Sequence, residues 1–102
     1  MGNDEPIAIA LADLRAALAR VLDAAEEQFG PVVDLEADYY WSLAAGDAFD
    51  LSKDPSVVAG QLSDDVAEVR DLLAREEDEV VLWHDLEHVT GILLRIAGLA
   101  QP

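Results

Sequence analysis

The segment with the clearest chemical potential is His84-Asp85-Leu86-Glu87-His88, close to the carboxyl end of the sequence. If this segment is helical, His84 and His88 lie one turn apart on the same face, which suits two ligands of one metal ion. Glu87 would then be the general base of a hydrolytic reaction on a metal-bound water. The pattern therefore raises the hypothesis of a metal-dependent enzyme.

Two features of the sequence argue against that hypothesis. The H-x-x-E-H pattern is that of the inverzincin metalloproteases, which are much larger and take a further ligand from far downstream, whereas only 14 residues follow His88. At helical spacing the histidines also lie opposite the apolar stripe of their own segment. We therefore predict two surface histidines, with no metal site, catalytic residue or cofactor. A metal-binding protein or enzyme using His84, Glu87 and His88 is the alternative.

A second notable cluster is Tyr39-Tyr40-Trp41. Three consecutive residues of a helix cannot all be buried, and in a strand the middle residue faces away from the other two. At least one large aromatic side chain is therefore expected at the surface, where Tyr and Trp favour binding. The alternative is that all three serve the core. The predicted partner-binding residues are Tyr39, Tyr40, Trp41, Asp64 and Asp65.

Composition restricts the class of protein. The chain has 102 residues, 52% of them hydrophobic, which predicts one small domain over residues 1–102 with a packed core. Its net charge of −16 argues against direct binding to nucleic acid or anionic membranes. The acidity fits a solvated surface, an adaptation to high salt, or the attraction of a basic partner. An acidic start, no Cys and no long uncharged run predict a cytoplasmic protein.

Apolar periodicity predicts three long helices. The first covers about residues 6–28, with Asp4 or Glu5 as its cap and Gly30-Pro31 as its end. The second covers about residues 64–76 and is predicted to begin at an N-cap of Ser63, and the third covers about residues 79–98. An unbroken helix would set the last two apolar stripes about 160° apart, so a break is predicted within residues 76–79, with Asp78 as the next cap.

Residues 30–62 lack clear periodicity and hold four of the six aromatic residues. Two short strands within residues 38–51, around the sequence Ala44-Ala45-Gly46-Asp47, are one interpretation, and a helical turn with a loop is the other. The predicted fold is mainly α: an antiparallel bundle of three long helices, with this aromatic segment packed along it. Trp83 and Leu94 widen the apolar arc of the last helix, which indicates a central helix or a homodimer interface.

Several short motifs resemble a small bacterial family of uncharacterised proteins. They are Asp38-Tyr39-Tyr40-Trp41, Phe49-Asp50-Leu51, Pro55 and the helix start Gly60-Gln61-Leu62-Ser63-Asp64-Asp65. Together they cover about a third of the chain. The resemblance implies a bacterial origin and no particular mechanism.

The favoured function is a non-enzymatic interaction module that binds a basic protein, as immunity proteins, antitoxins and small adaptors do. Charge would set the association rate, and exposed aromatic residues would slow dissociation. A DNA mimic that occupies a nucleic-acid-binding groove is a further alternative. These predictions leave open the identity of the partner and whether the acidity is functional.

Overall fold

A computed structural model describes residues 6–102 of the chain. The fold is mainly helical, with one small antiparallel sheet of two strands. The chain divides into two compact units, Met1–Val33 and Asp34–Pro102, so the predicted bundle of three helices is not confirmed. The elements are α1 (Leu11–Phe29), β1 (Tyr39–Leu43), α2 (Ala45–Ala48), β2 (Val57–Gln61), α3 (Leu62–Ala74), a 3₁₀ turn (Glu77–Glu79) and α4 (Leu82–Ala100).

The first unit contains α1, which begins at Leu11 rather than near Pro6. The caps predicted at Asp4 or Glu5 lie outside the described residues. The predicted end is confirmed, because Gly30 adopts a left-handed φ of 89° and its N–H donates to the Glu26 carbonyl at 2.7 Å. No residue of α1 is buried, and within residues 6–33 the unit offers no second element on which its apolar stripe could pack.

In the second unit, the predicted hairpin of residues 38–51 is half correct. β1 forms as expected, but it pairs with β2, in a register that sets Tyr39 opposite Gln61 and Leu43 opposite Val57. Residues 48–51 are not a strand, because the Asp50 side chain accepts hydrogen bonds from the Ser52 N–H and hydroxyl and closes a turn there. The β-branched pair Val57-Val58 supplies the second strand instead.

Helix α3 begins at Leu62, and its cap is not the predicted Ser63 but Asp38, which lies 25 residues earlier. The Asp38 carboxylate accepts the Ser63 N–H at 2.8 Å and the Ser63 hydroxyl at 3.1 Å. The Asp38 carbonyl also accepts the Leu62 N–H at 2.7 Å. Hydrogen bonding, chiefly from the Ser63 N–H, lowers the pKa of Asp38 below its ordinary value of 3.8.

The predicted break between the last two helices is confirmed, since α3 ends at Ala74 and α4 begins at Leu82. Near the end of α3, Asp71 and Arg75 form an ion pair at 3.1 Å, one helical turn apart. Asp78 is not the cap of α4. Instead, the Asp85 carboxylate accepts the Val81 N–H at 2.9 Å and pairs with Arg75 Nη2 at 2.7 Å. The turn between the helices is therefore held from both sides by one buried carboxylate.

The orientation of α4 is the main departure from the sequence prediction. Helical spacing places Leu82, Leu86, Val89, Leu93 and Ile96 on one apolar stripe, which predicts that this stripe faces the core. Leu82 and Leu86 are exposed, and the others are half-buried. The buried residues of α4 are Asp85 and Gly91. The inward side of α4 is therefore mixed, with Asp85 and His88 beside the half-buried Val89, Leu93 and Ile96. Its main contact is with α3.

None of the helices within residues 6–102 has the length and hydropathy that crossing a membrane requires.

The cap at Asp38 yields a pH-dependent prediction. Because folding lowers the pKa of Asp38, its contribution to stability is complete above its ordinary pKa and is lost as the pH falls through the folded-state value. We expect Asp38→Ala to lower the melting temperature at pH 7, with the difference from the native chain shrinking below about pH 4. Glu36→Ala removes the same charge from an exposed position nearby and is the control. An equal loss in both variants would contradict the assigned cap.

Candidate metal centre

The two histidines of α4 face each other at one point of the structure. His84 and His88 lie one turn apart, with ring centroids separated by 4.6 Å. Their Nε2 atoms approach to 3.3 Å. The side chains are 37% and 22% exposed respectively, so they border the contact with α3 rather than project freely from the surface. Both histidines thus keep part of their surface in solvent while α4 turns them toward α3.

His88 is held by a buried carboxylate of α3. Asp65, which is 4% exposed, places Oδ1 at 2.7 Å from His88 Nδ1. Its other oxygen, Oδ2, accepts the Tyr40 hydroxyl at 2.6 Å. A carboxylate oxygen only accepts, so this geometry assigns the ring proton of His88 to Nδ1 and leaves Nε2 with a lone pair.

His84 stands beside a second buried carboxylate. Its Nδ1 lies 3.5 Å from Oδ1 of Asp85, which is 5% exposed. The hydrogen bond from Arg75 lowers the pKa of Asp85 below its ordinary 3.8, so this carboxylate is ionised at neutral pH. An anion at this position favours a proton on His84 Nδ1 as well.

The two Nε2 atoms therefore face each other at 3.3 Å, with a lone pair on His88 and, in the Nδ1–H tautomer of His84, a second lone pair opposite it. Two acceptors 3.3 Å apart do not form a hydrogen bond unless one of them gains a proton. A metal ion satisfies both at once. Two imidazole nitrogens bound to tetrahedral zinc at about 2.0–2.1 Å are themselves about 3.3 Å apart, so the observed spacing fits that geometry.

Glu68 completes a set of three ligands. It lies on α3, and one potential ligand atom from each of Glu68, His84 and His88 falls within 4.8 Å of the other two. All three side chains are half-buried. Asp65 and Glu68 are three residues apart on α3 and share a face, so one turn of α3 supplies both a ligand and the carboxylate that supports His88.

The structure does not bring Glu87 into this set. Glu87 Oε1 accepts the Ala45 N–H at 3.2 Å, which ties α4 to the start of α2. The sequence pointed to Glu87 as the acidic member of the site because Glu87 lies inside the H-x-x-E-H motif. The same pattern could not reveal Glu68, which lies on another helix. The available signal for Glu68 was its spacing from Asp65 on one face of α3.

Tyr40 packs closely against two glycines. A Cβ atom on Gly60 would come within 2.6 Å of the Tyr40 ring, and one on Gly91 would lie 2.5 Å from Asp65 Oδ2 and closer still to the Tyr40 hydroxyl. Burial, together with the hydrogen bond to Asp65, raises the pKa of Tyr40 above its ordinary value of 10.0. Tyr40 therefore remains a donor over the physiological pH range and orients Asp65.

The predicted partner-binding residues divide between two environments. Tyr39 and Trp41 are 66% and 78% exposed on the outer face of the hairpin, while Tyr40 points inward, as strand alternation predicted. Asp64 is exposed and Asp65 is buried. The structure thus joins Tyr40 and Asp65 to the histidine cluster and leaves Tyr39, Trp41 and Asp64 at the surface.

Comparisons with family models, with curated proteins and with solved structures find no match to this chain.

The packing at Gly91 gives a direct test of this arrangement. Gly91→Ala should destabilise the fold by about 1–3 kcal/mol, because the added methyl group collides with Tyr40 and Asp65. Gly98→Ala is the matched control on the same helix, where nothing lies within 4 Å of the added atom, and its higher helix propensity should leave stability equal or greater. Thermal unfolding of both variants measures the contrast, and similar stabilities would refute the packing.

Proposed function

We propose that this protein binds a divalent transition-metal ion, with zinc the best fit, through Glu68, His84 and His88. The observation that carries the proposal is the 3.3 Å approach of two Nε2 atoms, with His88 oriented by the buried Asp65 and His84 lying 3.5 Å from the buried Asp85. The sequence favoured no metal site, with a site of His84, Glu87 and His88 as the alternative. The proposal keeps the two histidines of that alternative and replaces Glu87 by Glu68.

The ligand types favour zinc over calcium or magnesium. Two imidazole nitrogens and one carboxylate are ligands typical of zinc, whereas calcium and magnesium take oxygen ligands almost exclusively. Glu68 requires only a small side-chain adjustment, because its ligand atom is already within 4.8 Å of both nitrogens. Three protein ligands leave one tetrahedral position for a water molecule or an exogenous ligand.

The surroundings are those of a supported metal site. Metal-bound histidines generally donate their other ring N–H to a carboxylate, which fixes the ring and strengthens the ligand. Asp65 and Asp85 stand at these positions, and each is held in turn by another side chain, Tyr40 and Arg75 respectively. The net charge of −16 also raises the local concentration of cations.

A protein-interaction role is a second candidate, favoured by the outer face of the hairpin. Tyr39, Trp41 and Leu43 alternate along β1 on one exposed face. Together with the acidic charge, this row suits a partner that is basic and partly apolar. If Trp41→Ala captured the same proteins from the native host as the unchanged chain does, this candidate would be removed.

Zinc titration tests the metal proposal. We expect micromolar zinc to raise the melting temperature of the native chain, because a ligand at 100 times its Kd stabilises the folded state by about 2.7 kcal/mol. His84→Ala and His88→Ala should each abolish the rise, and Glu68→Gln should reduce it strongly. Asp65→Asn should weaken affinity about 10- to 100-fold, as loss of a supporting carboxylate does.

The controls separate this site from nonspecific binding by an acidic protein. Glu87→Gln removes the same charge as Glu68→Gln but leaves the three ligands intact, so its response to zinc should match that of the native chain. Magnesium at equal ionic strength should give no comparable rise. A native chain that does not respond to zinc, or a response that survives both histidine substitutions, would overturn the proposal.

A further inference from the structure

The outward face of α4 is uncharged and largely apolar, with Thr90 at its centre and the exposed Glu87 at its edge. Five exposed positions form this face, here called the α4 stripe: Trp83, Leu86, Thr90, Leu94 and Ala97. Trp83, Leu86 and Leu94 are 66%, 53% and 58% exposed respectively. At 100° per residue the five positions fall within an arc of about 80°. A soluble helix normally turns such a face inward, so its exposure indicates an interaction surface.

The spacing of the α4 stripe is symmetric about its central residue. Successive members are separated by three, four, four and three residues, so the pattern reads the same from either end. Leu86 and Leu94 are equally distant from Thr90, and so are Trp83 and Ala97. A two-fold interface brings the same patch of both copies together, with residue i meeting residue j and residue j meeting residue i.

We propose that α4 pairs antiparallel with α4 of a second copy of this chain, around a two-fold axis at Thr90. Leu86 then meets the partner's Leu94 and Leu94 meets the partner's Leu86. Trp83, the largest side chain of the stripe, lies over the partner's Ala97, one of the smallest. The large residue thus fills the space that the small one leaves, at both ends of the interface.

Charge and area favour a second copy as the occupant. Two copies that each carry −16 repel one another unless their contact avoids the carboxylates, and no member of the α4 stripe is charged. The stripe exposes roughly 500 Å² of side-chain surface on each copy, or about 1,000 Å² for the pair, which is the lower size of a specific interface. The expected product is a reversible dimer rather than an obligate one.

Sedimentation equilibrium of the full chain tests this pairing. We expect the native protein to dimerise at tens of micromolar, roughly the affinity that an interface at the lower size limit supports. Leu86→Glu should weaken association at least about 100-fold, because it places carboxylates against leucines on both sides of the axis. Leu73→Glu introduces the same charge at an exposed leucine of α3 and should leave association unchanged. Circular dichroism verifies that both variants remain helical.

A cross-link locates the axis independently. The chain has no Cys, so Thr90→Cys creates a single thiol that two-fold pairing brings close to its own copy. Oxidation should convert this variant largely to a disulfide-linked dimer, while Leu73→Cys should cross-link far less. A native chain that is monomeric at several hundred micromolar would overturn the proposal. A dimer that survives Leu86→Glu, or one in which Thr90→Cys cross-links no better than Leu73→Cys, would do the same.

Discussion

The carboxylate of Asp65 is the contact on which the second unit depends most. It stands on α3 and is 4% exposed, and its two oxygens bind Tyr40 of β1 and His88 of α4 at 2.6 and 2.7 Å. One buried side chain thus joins the hairpin to both long helices of this unit. A buried carboxylate is costly unless hydrogen bonds satisfy it, so the three elements must hold their mutual positions for the fold to be stable. Gly91 leaves the room that this contact needs.

The interior of this unit is accordingly polar to an unusual degree. Among residues 6–102, Leu62 is the one large apolar side chain that is buried, whereas Asp65 and Asp85 are both buried. The proposed metal site and the proposed pairing of α4 both follow from this arrangement, in which polar groups are buried and several leucines are exposed. The inward side of α4 carries both imidazoles and Asp85 and meets Asp65 of α3, which suits a metal ion. The outward face exposes Trp83, Leu86 and Leu94, which suits a second copy of the helix.

Local patterns predicted the parts of the fold that local physics decides. The phase of the apolar residues located the break between α3 and α4, because two stripes on opposite sides of one helix cannot face one core. Alternation in a strand predicted that Tyr40 would face away from Tyr39 and Trp41.

The sequence predictions were wrong where residues far apart in the chain decide the local structure. Asp38 caps a helix that begins 24 residues later, so no local signal favoured it over Ser63. Glu68 joins the histidines only because α3 packs on α4. The inward orientation of α4 contradicts the rule that the apolar face forms the core, since hydrogen bonds to Asp65 and Arg75 decide which face is buried.

The tautomers of His84 and His88 test the proposed metal centre most directly. The chain has two histidines, so a long-range ¹⁵N–¹H correlation spectrum of the metal-free protein at about pH 8 resolves both rings. We expect both rings to carry the proton on Nδ1 and a bare lone pair on Nε2, with zinc shifting the two Nε2 signals and leaving both Nδ1 protons in place. A proton on Nε2 of either ring, unchanged by zinc, would contradict the assigned metal centre.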